Sequence, residues 1–251
     1  MELTIVNPHP KYPRVGLIEA PPTGYLLLGA VVEPTLGRTP FPRGGARGGP
    51  RKAALLAELK SLAAGLERLD AVTKATVYRA VLIPPVGGDA RRMAARSARY
   101  DVVVLVETSA VQAAGAVEGS PEFRKLRETV ASAARDDYLM TARCLRRVGD
   151  VDKTRQGLFL FNYFVARDAA VALEAWEHLA AWYAVETGLD NSTLLGPVGD
   201  ADYVFVNHAR WDISLPRFAA RQFGKRSFYS FVLANIRANG AAAMPILYRL
   251  A

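Results

Sequence analysis

The sequence predicts an α+β fold: two tandem ferredoxin-like β-α-β-β-α-β units in one chain, packed sheet to sheet as a barrel. Three observations predict it. Apolar runs and amphipathic stretches follow the order β-α-β-β-α-β twice. The third strand candidates of the two halves begin alike, "YDVVVLVETS" and "ADYVFVNHAR". Strand candidates are apolar at adjacent as well as alternate positions, as sheets covered on both faces must be. A four-stranded sheet with its helices on one side leaves the other side to bury, and two such units in one chain can cover each other.

Residues 1–24 form an N-terminal extension, 25–150 the first unit and 151–251 the second. "YLLLGAVVE" from Tyr25 has the length and composition of a buried strand. From Arg51, Leu55, Leu59, Leu62, Leu66 and Leu69 recur at spacings of four and three and mark one face of a helix. "VTKATVYRAVLI" is a strand ended by Pro84-Pro85, "YDVVVLVET" is the third strand, and Val111 to Val130 keep a helical rhythm before "YLMTARCLRRV". In the second unit, "LFLFNYFVA" and "STLLGPV" are strands on either side of the helix "DAAVALEAWEHLAAWYAVETG". "DYVFVNHARW" is followed by a helical stretch with a break at Gly224, and "AMPILYRLA" closes the unit.

With 251 residues, half of them apolar, the chain has material for one large or two ordinary domains. The net charge of +8 is concentrated in two stretches that read as loops, 38–52 and 91–99, carrying Arg38, Arg43, Arg47, Arg51 and Lys52, then Arg91, Arg92, Arg96 and Arg99. No aromatic residue interleaves with the arginines from 43 onward, so a solvated loop is preferred to a nucleic-acid platform. No apolar run reaches the roughly 18–20 residues that span a bilayer, no signal pattern opens the chain, and the lone Cys144 has no partner. A cytoplasmic protein is expected, with no membrane contact and with a further homodimer open to it.

Phosphate-binding, dinucleotide-binding and nucleophile-turn motifs are absent, as are paired cysteines, and the three histidines do not suggest a metal site. The polar residues that a core would not need lie in the second half. Asn162 interrupts an aromatic strand, and a buried carboxamide must bond either to its neighbours or to a ligand in an apolar pocket. Its first-half counterpart by strand order is near Gly29, so one half alone would carry the site. Period-two alternation sends Tyr203, Phe205, Asn207, Ala209 and Trp211 to one face, and Val204, Val206, His208 and Arg210 to the other, towards the barrel or its mouth. His208 is a hydrogen-bonded core histidine or a proton shuttle. Arg210 is a rim partner of Asp212 or Asp202, or a charge partner for a ligand. His178 and Trp182, four apart on a helix, share a face from which both could touch a planar ligand.

The segment "DYVFVNHARWDISLPRFAARQFGKRSFYSF" resembles the second half of antibiotic biosynthesis monooxygenase domains, within the dimeric α+β barrel superfamily. The resemblance implies a pocket lined by a first-strand Asn and the Trp after the third strand, here Asn162 and Trp211. Heme-degrading members carry a histidine ligand in the second helix, where "SFYSFVLANIRANG" offers Asn235 and Asn239 instead. The expected function is that of a small-molecule enzyme, a cofactor-independent monooxygenase acting on an aromatic or polycyclic substrate. Asn162, Trp211 and His208 are its candidate catalytic residues, with Tyr163, Asn207, Arg210, His178 and Trp182 around the substrate. An isomerase, cyclase or dehydratase, a non-catalytic ligand-binding module, and heme binding through His178 or His208 are the alternatives, because fold does not fix reaction.

Overall fold

The computed structural model describes residues 2–33 and 49–251. Arg38, Arg43 and Arg47 lie outside the described residues. The first half runs β1 (Gly24–Val31), α1 (Pro50–Leu66), β2 (Val72–Leu82), α2 (Gly88–Met93), β3 (Val102–Thr108), α3 (Val111–Glu118), α4 (Pro121–Ala133) and β4 (Asp136–Gly149). The second runs β5 (Leu158–Ala166), α5 (Ala169–Thr187), β6 (Ser192–Pro197), β7 (Phe205–Trp211), α6 (Leu215–Phe223), a π-helical turn (Phe228–Leu233), α7 (Ala234–Ala238) and β8 (Ala241–Leu250). The expected order of elements holds. The short α2 replaces part of the second expected basic loop, and a turn of π-helix interrupts the last helical stretch.

The strands close one barrel in the order β1-β3-β2-β8-β5-β7-β6-β4. Each half contributes four neighbouring strands, and the antiparallel seams β2/β8 and β4/β6 join the halves edge to edge. Ring closure fixes which side chains point inward. Tyr78, Phe159, Phe161, Tyr163, Val206 and Tyr248 fill the interior. Tyr100 and Tyr203 each precede the third strand of their half, and their hydroxyls meet at 2.9 Å. Tyr203 therefore faces the barrel rather than the side of Asn207, because alternation begins only where the strand does, at Phe205.

Outside the barrel, α1, α3 and α4 cover the first half with an aliphatic layer around Leu26, Leu28, Val104, Leu59 and Leu126. A buried ion pair anchors α1: Lys52 Nζ lies 2.6 Å from Asp101 Oδ2, with both side chains almost fully enclosed. The same carboxylate accepts from the Val32 and Glu33 amides at 2.6 and 2.9 Å. Lys52 thus belongs to a helix and a salt bridge, not to the solvated basic loop expected for it. Of the other basic positions, Arg96 pairs with Asp136 and Asp202, joining the two halves.

The N-terminal segment lies over the helices of the second half. Asn239 accepts from the Thr4 amide and donates to its carbonyl, both at 2.8 Å, and Asn235 brackets Val6 in the same way at 2.6 and 3.0 Å. Tyr12 donates to Glu186 at 2.8 Å. No helix among the described residues is long and apolar enough to cross a membrane.

Replacing Lys52 would leave the Asp101 carboxylate enclosed with only backbone donors. Lys52→Ala and the volume-filling Lys52→Met are both expected to cost about 3–5 kcal/mol of unfolding free energy, read from guanidinium melts. A loss below about 1 kcal/mol would show that the pair is not what holds α1.

Candidate functional site

The second half carries a layer of helices over its sheet, as the first does, but here the layer is not closed. Two adjoining lobes lie between β5, β7 and β8 on one side and α5, α6, the π-helical turn and α7 on the other. The inner lobe, about 30 Å³, is bounded by Phe164, Trp176, Asn207 and Trp211. The outer lobe, about 100 Å³, lies under Phe218, Gln222, Phe223 and Phe228, with Leu82 and Pro84 of the first half at its edge. Leu160, Asn162, Tyr183, Val232 and Ile236 line both.

Asn162 faces this cavity because β5 alternates: Phe159, Phe161 and Tyr163 enter the barrel, while Leu160, Asn162 and Phe164 face the helices. Its Oδ1 is buried without a hydrogen-bond partner. Its neighbours across the sheet do not satisfy it. On one side stands Asn207, whose Oδ1 accepts from Ser192 Oγ at 2.6 Å; on the other stands Pro245, which brings no N–H to the ladder. Aligning Tyr100 with Tyr203 sets the cross-strand pair Leu28–Val104 of the first half against Asn162–Asn207. Gly29, taken from strand order as the counterpart, instead faces the barrel, where a Cβ would stand 2.7 Å from the Tyr100 ring.

Trp211 closes the inner lobe with its ring, packed at 4.7 Å from Phe218. Its indole N–H is already donated to Thr187 Oγ1 at 2.9 Å, so Trp211 supplies a surface rather than a hydrogen bond. Tyr183 stands beside it, 6.3 Å between ring centroids. Burial raises the Tyr183 phenol above its ordinary pKa, so it remains a protonated donor at neutral pH.

The remaining expected site residues lie elsewhere. Tyr163, His208 and Arg210 are on the barrel side of the sheet, so none of them reaches the cavity that Asn162 faces. His208 stacks on Phe161 with centroids 4.2 Å apart. Its Nδ1 is 3.1 Å from the Leu160 carbonyl, which can only accept, so Nδ1 carries the proton and Nε2 accepts from Tyr78 Oη at 3.2 Å. Burial, with the Lys153 charge second, lowers its pKa to about 3. Arg210 is paired with Asp212, donates to the Gln156 carbonyl at 2.9 Å and lies over the Phe159 ring. His178 meets Arg14 of the N-terminal segment at 3.3 Å, and Trp182 donates to Ser227 at 2.9 Å while packing on Phe228. Helical spacing put His178 and Trp182 on one face, but that face meets the N-terminal segment and the π-helical turn; Trp176 and Tyr183 face the cavity instead. Neither His178 nor His208 is placed to ligate a heme iron in this cavity, and Asn235 and Asn239 are engaged by the N-terminal segment, so these residues do not fit that group.

The barrel order and the helices on its outer face define the fold: a dimeric α+β barrel built within one chain. An anthrone oxidase-like protein shares it with a TM-score of 0.63 and 13% identity, over 91% of each chain. A candidate monooxygenase of Fusobacterium nucleatum subsp. nucleatum follows at 0.56 and 7%, and another of Lactobacillus acidophilus NCFM at 0.51 and 8%, each over 93% of this chain and 94% of the other. No family model matches the chain, and no curated protein matches it. Within this barrel, the two sides of the second half's sheet do different work: the inner side is packed, and the outer side holds the cavity.

His208 gives the barrel a pH dependence whose sign follows from its lowered pKa. Below about pH 6.5 the unfolded chain binds a proton that the folded one refuses, so stability is full above that pH and falls as pH drops towards 3. Between pH 7 and pH 5 this amounts to about 2 kcal/mol. Denaturant melts of His208→Gln should show that slope reduced by about this amount; an unchanged slope would assign the pH dependence to other groups.

Proposed function

We propose that the chain is a small-molecule enzyme of the cofactor-independent monooxygenase kind, acting on an aromatic or polycyclic substrate in the cavity beside Asn162. The observation that carries this reading is the buried Asn162 Oδ1, without a partner, in a cavity walled by Trp176, Tyr183, Trp211 and Phe218. A packed protein leaves such an atom unpaired at a cost of about 1–3 kcal/mol. A ligand hydroxyl would satisfy it.

The lining restricts the substrate. Tyr183 is the one ionisable side chain among the residues that line the two lobes, and its raised pKa makes it a donor rather than a base. A substrate turned over here supplies its own acidity, as does a tricyclic ketone whose ring methylene enolises to a phenol. Oxygenation of that methylene is balanced without an external reductant: one methylene group and one dioxygen give one ketone carbonyl and one water. The two C–H bonds of the substrate provide all the electrons, one oxygen atom becomes the carbonyl, and the other leaves as water with both hydrogens. Asn162 would accept from the enol hydroxyl and, by turning its amide, donate to the enolate as charge develops. The apolar walls would keep water from the reacting carbon. The name of the anthrone oxidase-like neighbour agrees with this substrate class.

The same lining favours one second reading. A cavity without a carboxylate or histidine among its lining residues also suits a protein that binds an aromatic ligand without changing it. Oxygen uptake with anthrone as the probe separates the two. Turnover by the wild type and a loss of about 10²–10³-fold in kcat for Asn162→Ala, with an unchanged circular dichroism spectrum, are the expected results. Anthrone binding without oxygen uptake would support the second reading, and full activity in Asn162→Ala would remove the site.

Filling the position with an apolar group should separate function from stability. Asn162→Leu, which copies Leu28 of the first half, is expected to gain about 1 kcal/mol in thermal or denaturant unfolding while losing turnover. A destabilised Asn162→Leu would mean that the carboxamide is bonded within the protein.

A further inference from the structure

The outer lobe contains a second polar group that the function above leaves unused. α6 turns Leu215, Phe218, Ala219, Gln222 and Phe223 to the cavity, spaced as one helical face. Four of these are apolar. Gln222 is only 7% exposed, and no hydrogen bond engages its side-chain amide among the described residues. Unlike Asn162 Oδ1, its amide atoms keep some accessible surface, so they stand ready to meet a ligand at little cost to the fold, whereas a helix that merely capped an apolar layer would carry Leu or Met here.

Asn162 and Gln222 lie on different walls of one lobe, the first on the sheet and the second on the helical cover. Asn162 also lines the inner lobe, whereas Gln222 lines only the outer one. A flat ligand seated between Phe218, Phe228 and Tyr183 would have one carboxamide on the sheet wall and another on the helical wall. We infer that Gln222 is a specificity-determining residue, and that the cavity selects fused-ring ligands bearing hydrogen-bonding oxygens on two separated edges over those with one. The inference rests on the cavity assigned above and adds the substrate's second functional group. Each carboxamide offers both a donor and an acceptor, so hydroxyl and keto oxygens are equally suited to it.

Binding measured without turnover tests this apart from the oxygenase reading. Quenching of tryptophan fluorescence, with Trp176 and Trp211 at the cavity, can be titrated with 2-naphthol and with 2,6-dihydroxynaphthalene. The wild type should bind the dihydroxy compound at least about tenfold more tightly, since a site built for a hydroxyl discriminates against the analogue that lacks it. Gln222→Leu should reduce that preference to about twofold or less while leaving 2-naphthol affinity equal or higher, and Asn162→Leu should weaken both probes. Gln222→Met, with a melting curve, guards against a repacked α6. A preference that survives in both Gln222 variants overturns the inference while leaving the cavity in place. Failure of either probe to bind the wild type would overturn the inference together with the cavity's assignment.

Discussion

Barrel closure is the constraint on which the rest of this structure depends. The seams β2/β8 and β4/β6 pair what would otherwise be exposed edges, and once the ring is closed every strand residue must face inward or outward. The inner side is filled largely by aromatic rings, with Tyr100 and Tyr203 meeting near the junction of the halves. A cavity in this half forms outside the ring, where helices cover the sheet. Whether that cover is solid or hollow then depends on a few side chains. Leu28 and Val104 help make it solid in the first half; Asn162, Asn207 and the neighbouring Pro245 break the apolar layer in the second.

The hollow half needs its cover held by something other than core packing alone. Asn235 and Asn239, one helical turn apart, each bond to both the amide and the carbonyl of an N-terminal residue, and so present an edge-like pattern to Thr4 and Val6. Val232 and Ile236, on the same helical stretch, line both lobes. The position of the cavity roof is thereby tied to the start of the chain. The π-helical turn lies within that roof, where one wide turn brings Phe228, Val232 and Leu233 to the cavity.

Much of this was legible in the sequence, where period and order were strong. Alternation along Phe205–Trp211 separated Asn207 and Trp211 from His208 and Arg210, and it failed for Tyr203 because that residue precedes the strand. What alternation cannot express is which layer is hollow, so Tyr163, His208 and Arg210 were grouped with Asn162 although a sheet lies between them. Lys52 read as loop charge because its partner Asp101 is far away in sequence. Asn235 and Asn239 were noticed as the absence of a histidine, while their bonding to residues more than two hundred positions away had no local signature. Gln222 did have one: a single polar residue in the stripe Leu215, Phe218, Ala219, Phe223.

The difference between Leu28 and Asn162 has a consequence for how such a molecule can change. In a barrel assembled from two identical chains, every substitution appears twice, so a residue that hollows one cover also hollows the other and the destabilisation doubles. Joining the halves in one chain removes that obligation. One cover can remain an aliphatic buttress around Leu28 and Val104 while the other varies around Asn162 and Asn207. A ligand that needs the Asn162 carboxamide would then be taken up along a simple hyperbola at one equivalent per chain, because Leu28 stands at the matching position of the other half.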